Sequence, residues 1–325
     1  ALLFLSFSMA ITPSYAASPI IVNTTEDTEN MDRRCSLREA VQAARAGAGY
    51  GGCSYDGRSV ITLASGIYTV NLVTLPDIDA DITIIGLNPT DTIIQPSSCN
   101  PTTNPCLQDY ELFHIVYAGT LTLKNLTIRN SQSFDIYGGA IYNHSGTLKI
   151  LNCTIRANKS KKGGAIGNYN DATLIIKNST ISSNTVYDAN LHMAGAIYNS
   201  ANSIAIIQSS TFSGNSAKVG GAIFNDGTLE ITNSTFSGNI ALQDGGAIYN
   251  LKDISLLNST LFGNEAFYQG AGIYNAYASL NFNNTIIANS TKGDDCHNGN
   301  LGTIGFNQNN LVSDGTCSAA YSGDP

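Results

Sequence analysis

The sequence predicts an all-β protein, a single parallel β-helix with three short strands in each coil of about 25 residues and a short helix over its N-terminal end. Three observations predict it. A motif of the form GGAI-aromatic-Asn recurs with its first residue at Gly138, Gly163, Ala194, Gly220, Gly245 and Gly270, and steps of 25 residues separate Gly138 from Gly163 and Gly220 from Gly245. A second motif, NSTFSGN at residues 233–239, has versions at 178–184, 209–215 and 258–264. Inside each unit apolar and polar residues alternate, as in GTLEIT, where Leu229 and Ile231 face one way and Thr228, Glu230 and Thr232 the other. Period two, broken by Gly, Asn and Asp, means short strands and turns. One such coil cannot bury its apolar edge, so stability must come from stacking on its neighbours, which sit roughly 4.8 Å apart.

From the N-terminus, the apolar segment within residues 1–16 ends in SYA, a small-x-small cleavage pattern, and reads as the later part of a secretory signal peptide. Residues 17–59 read as a cap region. Its CSLREAVQAARAG stretch predicts a helix: Ser36 and Glu39 form a capping box, and Leu37, Ala40, Val41 and Ala44 form one apolar stripe. A short amphipathic helix ahead of a solenoid is expected to lie over its open end. Residues 60–290 read as the β-helix, with irregular early coils in VITLASGIYTV and ADITIIG. Residues 291–325 read as a disulfide-closed C-terminal segment, expected to continue in further sequence.

Stacking the repeats in register generates columns. Ile141, Ile166, Ile197, Ile223, Ile248 and Ile273 are expected to point inward. The next residue points outward, giving an aromatic column of Tyr142, Tyr198, Phe224, Tyr249 and Tyr274 interrupted by Gly167. Asn143, Asn168, Asn199, Asn225, Asn250 and Asn275 form one asparagine column; Asn158, Asn184, Asn215, Asn239, Asn264 and Asn289 form another. Both are placed at corners, where Asn tolerates left-handed backbone and stacked amides can hydrogen-bond. Thr127, Thr154, Thr180, Thr211, Thr235, Thr260 and Thr285 form an outer ladder, flanked by Ser182, Ser213 and Ser237 and broken in its second rank by Arg129, Arg156, Phe262 and Ile287.

Seven cysteines suit an exported protein. The pairings expected are Cys35–Cys53, Cys99–Cys106 and Cys296–Cys317, each closing a local loop outside the repeats. Cys153 remains, in the inward place held elsewhere by Ser179, Ser210, Ser234 and Ser259, as a buried inert thiol. No Cys/His spacing resembles a zinc site, and no cofactor is implied. A net charge of −8 with only 12% charged residues argues against nucleic acid as a partner. Beyond the leader, no segment is apolar for long enough to be expected to span a membrane as a helix.

CSLREAV resembles the N-terminal CSLREA signature of secreted and surface bacterial proteins. The GGAI and F-x-x-N units, such as Gly221 to Ile223 with Phe236 to Asn239, resemble the repeats of chlamydial polymorphic outer-membrane proteins and right-handed parallel β-helix proteins generally. The segment CHNGNLGTIGFNQNNLVSDGTC resembles the C-terminal part of anchor-bearing surface proteins of the same group. The resemblance covers nearly all of the chain after the leader. It implies a right-handed β-helix and a secreted or bacterial cell-surface location, outer-membrane associated. It implies no reaction.

Parallel β-helices also host polysaccharide lyases and glycoside hydrolases, which need paired carboxylates, or acidic cation ligands with a base. The GDDC run, with Asp294 and Asp295 beside His297, resembles part of the polygalacturonase pattern, but the rest of that pattern is missing. The repeat acids Asp135, Asp171, Asp188, Asp226, Glu230, Asp244 and Asp253 occupy different places in their units and are not expected to converge; His114, His144 and His192 read as scattered solvent-facing or loop residues. No catalytic residue is therefore assigned. The expected function is a non-catalytic, adhesin-like surface protein whose face binds a glycan or a host or cell-surface protein. The candidate binding residues are the aromatic column (Tyr142, Tyr198, Phe224, Tyr249, Tyr274) and the threonines Thr180, Thr211, Thr235 and Thr260. A hydrolase or lyase is the alternative, and an ice- or crystal-binding threonine face the third reading.

Overall fold

The structure, a computed structural model, describes residues 18–71, 74–96, 111–134, 137–187, 192–299 and 301–317. The leader and the Cys99–Cys106 pairing lie outside these residues, as do Asp135 and Asp188. The described chain is a stack of parallel coils. Its strands form sheets of eleven, ten, eight and five strands, in each of which every strand pairs with its counterpart one coil away. The eleven-stranded sheet begins at Ile20–Val22, ahead of the helix, and ends at Thr303–Gln308. Residues after 290 supply a strand to three of the sheets: Cys296–Asn298, Thr303–Gln308 and Leu311–Val312.

The coils between Lys159 and Ala266 use one ladder more than the alternation predicts. The additional one is two residues wide, as at Ser216–Ala217 and Ile240–Ala241. Two residues are too few for an alternating pattern to register.

The inward columns fall as the period-two phase requires. Ile141, Ile166, Ile197, Ile223, Ile248 and Ile273 are each fully buried, and so are Leu229 and Ile231 within 1%. The paired glycines ahead of that isoleucine have separate duties. The first takes left-handed backbone, with φ 64° at Gly220 and 72° at Gly245. The second has no room for a side chain, since a Cβ on Gly221 would lie 2.1 Å from the Gly246 carbonyl oxygen of the next coil.

The asparagine columns differ from expectation in one respect. Neither is the seat of left-handed backbone, except at Asn289. The corners are turned by the residues beside them: Asn178, Asn233 and Asn258, with φ 50° to 51°, and Gly214, Gly238 and Gly263, with φ 60° to 61°. The columns themselves are buried amide ladders. In the first, Nδ2 of each asparagine donates to Oδ1 of the next, from Asn143 through Asn168, Asn199, Asn225, Asn250 and Asn275 to Asn298, over 2.7 to 2.9 Å. In the second, each Oδ1 accepts from both the backbone N and Nδ2 of the preceding asparagine, from Asn158 to Asn264, at 2.9 to 3.1 Å. The hydroxyls of Ser179, Ser210, Ser234 and Ser259 make a third ladder, each accepting from the backbone N one coil back, and Cys153 heads it as a buried free thiol. Burial pushes that thiol up to about 11, which keeps it protonated and unreactive.

The last coil is displaced by one residue from the expected alignment. Thr260 pairs with Ile286, and Phe262 with Ala288. Thr285 therefore continues the buried serine column and Ile287 the core, both fully buried. Asn289 takes the left-handed corner place of the repeat glycines, with φ 59°.

At the other end α1, Leu37–Ala46, covers the first coils. It packs on the strands Ile20–Val22, Val60–Leu63 and Asp81–Ile85, with Leu37, Ala40, Val41 and Ala44 buried. The capping box is complete: Glu39 N donates to Ser36 Oγ, and Ser36 N to Glu39 Oε2. Cys35 is bonded to Cys53. Arg38 is buried and holds Asp27 through two bonds of 2.8 and 2.9 Å, and it donates a third to the Thr74 carbonyl. Each residue of CSLREA thus has a packing, capping or pairing task.

Two stability measurements follow. Ser36→Ala removes the cap and should cost about 1 kcal/mol in denaturant unfolding. Asn225→Leu leaves the Asn199 amide donor and the Asn250 carbonyl oxygen without their ladder partner, and should cost roughly 1–3 kcal/mol for each group stranded.

Candidate functional site

Two outer faces carry the candidate residues. On the ten-stranded sheet Thr127, Thr154, Thr180, Thr211, Thr235 and Thr260 pair in register, bracketed by Ile93 before and Ile286 after. Thr127 is buried, and its hydroxyl donates to the Pro89 carbonyl. The remaining five threonines are part-exposed or exposed. Beside them run Ser182, Ser213 and Ser237, with Arg129 and Arg156 at one end and Phe262 at the other, half exposed. From Thr180 to Thr260 the outward residues of this sheet are uncharged.

The aromatic column lies on the eight-stranded sheet, and it is longer than the repeat suggests. The interruption expected at Gly167 is filled. The Tyr169 ring leans over Gly167, where a Cβ would lie 2.7 Å from it, and stacks 5.1 Å from Tyr198. His114 adds a ring at one end, 4.8 Å from Tyr142, and His297 adds one at the other, 5.3 Å from Tyr274. Tyr198, Phe224, Tyr249 and Tyr274 follow one another at 5.0 to 5.2 Å with ring planes within 17°. The step from Tyr142 to Tyr169 is edge-to-face, at 78°. His144 stacks on Tyr142 as well, so His114 and His144 belong to the column and are not scattered surface residues. The sequence signal was present for the two ends, because FHI at residues 113–115 and CHN at 296–298 pair with the IYN triplets. Tyr169 had no such signal, since its ring enters from two residues away.

This stack changes what the column can do. Consecutive rings cover one another's faces, and Met193, Val219 and Leu251 pack against its middle around Phe224. Along most of its length it offers ring edges, not faces, so it holds coil to coil as cross-strand pairs do. Burial raises the phenols of Tyr142 and Tyr249 to about 12, and those of Tyr169, Tyr198 and Tyr274 above their ordinary value. These phenols thus stay neutral and protonated at physiological pH.

The GDDC acids separate into two tasks. Asp295 is buried. Its carboxylate accepts from the Ser290 backbone N and hydroxyl, from the Ser313 hydroxyl and from the Asp314 backbone N, and Cys296 beside it is bonded to Cys317. That is a structural acid holding the last coil. Asp294 accepts from the Gly270 backbone N and from His297 Nδ1 at 3.0 Å. Asp244 lies within electrostatic range of both His297 and Asp294; burial raises its carboxyl pKa, with Asp294 adding to the rise and His297 opposing it. Of the repeat acids, Asp244 alone approaches this pair, because coils bring together residues distant in sequence. Among the described residues no group of three His, Cys, Asp or Glu side chains is placed to hold a metal ion.

His114 makes the column sensitive to pH. Its Nδ1 lies 3.2 Å from an Asp77 oxygen, but its Nε2 is buried without a partner. Burial lowers its pKa, the His144 charge lowers it further, and Asp77 opposes both. A base with a depressed pKa binds its proton more tightly in the unfolded chain. Its stabilising contribution is therefore complete above the unfolded value, about 6.5, and is lost progressively as pH falls from there through the lower folded-state value. Denaturation midpoints should drop between pH 7 and 5, and His114→Phe should flatten that drop.

A model of the Chlamydia polymorphic membrane protein repeat matches residues 209–226 and 233–251, which contain Thr211, Phe224, Thr235 and Tyr249. This supports a β-helix like that of those membrane-protein repeats over the matched coils. No curated protein matches the chain. Two solved structures are similar to it. One is the Agl-KA catalytic domain, at 12% identity and a TM-score of 0.38. The other is the catalytic domain of a GH87 alpha-1,3-glucanase in complex with tetrasaccharides, at 10% identity and a TM-score of 0.36. Each likeness covers 94% of this chain and 70% of the other. At such scores neither carries an argument about activity.

Proposed function

We propose that this chain is a secreted or cell-surface β-helix that catalyses no reaction and presents a regular, neutral face to a glycan or a protein of another surface, in the manner of an adhesin. The observation that carries the reading is the run Thr180, Thr211, Thr235 and Thr260, paired strand to strand beside Ser182, Ser213 and Ser237 with no charge among them. Each threonine offers a hydroxyl and a methyl group at the coil spacing. The array can hydrogen-bond and make apolar contact without first shedding tightly held charge hydration. The match to polymorphic membrane protein repeats includes Thr211, Ser213, Thr235 and Ser237 of this face and supports a surface role, with outer-membrane association as the expected setting.

A carbohydrate-cleaving reading draws on the meeting of Asp244, Asp294 and His297. Asp295 does not help it, since its carboxylate is committed to four hydrogen bonds. An ice- or crystal-binding face is less well supported, because Arg156 breaks the flat rank at one end and Phe262 and Ile286 at the other.

The test is a glycan-array and cell-binding screen with the same sample assayed for release of reducing ends or unsaturated uronates. Thr211→Glu with Thr235→Glu should abolish binding. Asp294→Asn should leave it unchanged. Polymer turnover that disappears in Asp294→Asn would sink the non-catalytic reading and promote the enzyme.

A further inference from the structure

We propose that the hollow beside the C-terminal end of the aromatic stack binds a single neutral sugar residue, with the exposed ring of Tyr277 as its stacking platform. The hollow has a volume of about 250 Å³ and is lined by Tyr249, Tyr274, Ala276, Tyr277, Gly299 and Leu301. The inference rests on the reading of the chain as a surface-binding protein and names a ligand class and a site for it.

Tyr277 differs from the column tyrosines. It is 61% exposed and takes part in no ring pair among the described residues, whereas Tyr249 and Tyr274 spend their faces on each other and on Phe224 and His297. Here, then, an aromatic face is available, which the column elsewhere lacks. Tyr277 lines the hollow together with Tyr249 and Tyr274; burial raises the phenols of those two, and Asp244 and then Tyr277 add to the rise. Burial, the larger cause of those shifts, keeps the two column phenols protonated, able to donate as well as accept. Leu301, 67% exposed, gives the hollow an apolar wall.

This combination suits a pyranose ring, which has an apolar C–H face and a rim of hydroxyls. It does not suit a charged ligand, because among the described residues no ionisable group other than the phenols lines the hollow. Two hollows of like size elsewhere differ on this point: one includes Glu29, the other Asp226, Lys252 and Asp253. Size favours one ring, since sites for larger organic ligands run to roughly 300–1,000 Å³. The floor is held firmly. Ala276 is buried, Gly299 N donates to the Asn275 carbonyl at 2.8 Å, and Asn275 Nδ2 donates the last rung of the first amide ladder to Asn298.

The chain has no tryptophan, so its intrinsic fluorescence reports tyrosine directly. The full chain would be titrated with methyl glycosides of neutral hexoses and N-acetylhexosamines. A saturable change in tyrosine emission is expected. Affinity should fall about tenfold or more in Tyr277→Ala and remain unchanged in Tyr268→Ala, an exposed tyrosine outside the hollow. Unaltered circular dichroism would show that both variants fold. Equal sugar binding by Tyr277→Ala, or no binding of any neutral glycoside by the unaltered chain, overturns the proposal. Cell-surface binding that persists in Tyr277→Ala but is lost on Thr211→Glu with Thr235→Glu also overturns it, while leaving the threonine-face reading intact.

Discussion

The structure depends on buried carboxamides that hydrogen-bond from coil to coil. Asn168, Asn199, Asn225 and Asn250 are fully buried, and each both donates to and accepts from a like residue. An amide left alone in such a place costs roughly 1–3 kcal/mol, so the ladders tolerate only the alignment in which asparagine meets asparagine. A one-residue slip would also turn the isoleucines outward. Hydrophobic burial favours stacking in general; the amides select this particular stacking. The threonine face and the aromatic stack inherit their regularity from it, because their residues sit at fixed offsets from the ladder asparagines.

This logic explains which features were legible in the sequence. The inward isoleucines, the helix and its capping box, and the pairs Cys35–Cys53 and Cys296–Cys317 follow from alternation, capping chemistry and local loop closure, all short-range properties. What escaped needed three-dimensional alignment. Buried amides and corner residues are both asparagines two or more positions apart in the same unit, so Asn233 and Asn239 cannot be told apart by residue type, although only Asn233 turns the chain. In the last coil NTIIANS replaces NSTFSGN, and the missing glycine hides the fact that Asn289 has taken its place. Asp244 and Asp294 are fifty positions apart, yet only two coils separate them.

The candidate faces differ in kind for the same reason. Thr154 to Thr260 project from the outer side of a sheet and stay at least partly exposed, whereas stacked rings spend their faces on each other and leave mainly edges. A repetitive aromatic column is thus a stabilising seam, and binding chemistry should be sought where the repeat is broken. Tyr277 lies beyond the ladder asparagine Asn275, and no aromatic residue holds the corresponding place after Asn225 or Asn250.

The head-to-tail order of the first amide ladder has a consequence for how such chains can change length. Because each asparagine takes one bond and gives one, inserting or deleting an entire coil leaves the number of unmatched groups as it was: the Asn143 Oδ1, which faces Ile115 and has no donor, at one end, and the terminal donor at the other. Partial insertions are harmless only if they leave the strands in register, as in the coil where Asn168 and Asn199 are 31 residues apart yet bond at 2.9 Å. Tandem duplication of a coil-sized segment is therefore a conservative genetic event for this fold, and copy number is free to drift under whatever selection acts on reach.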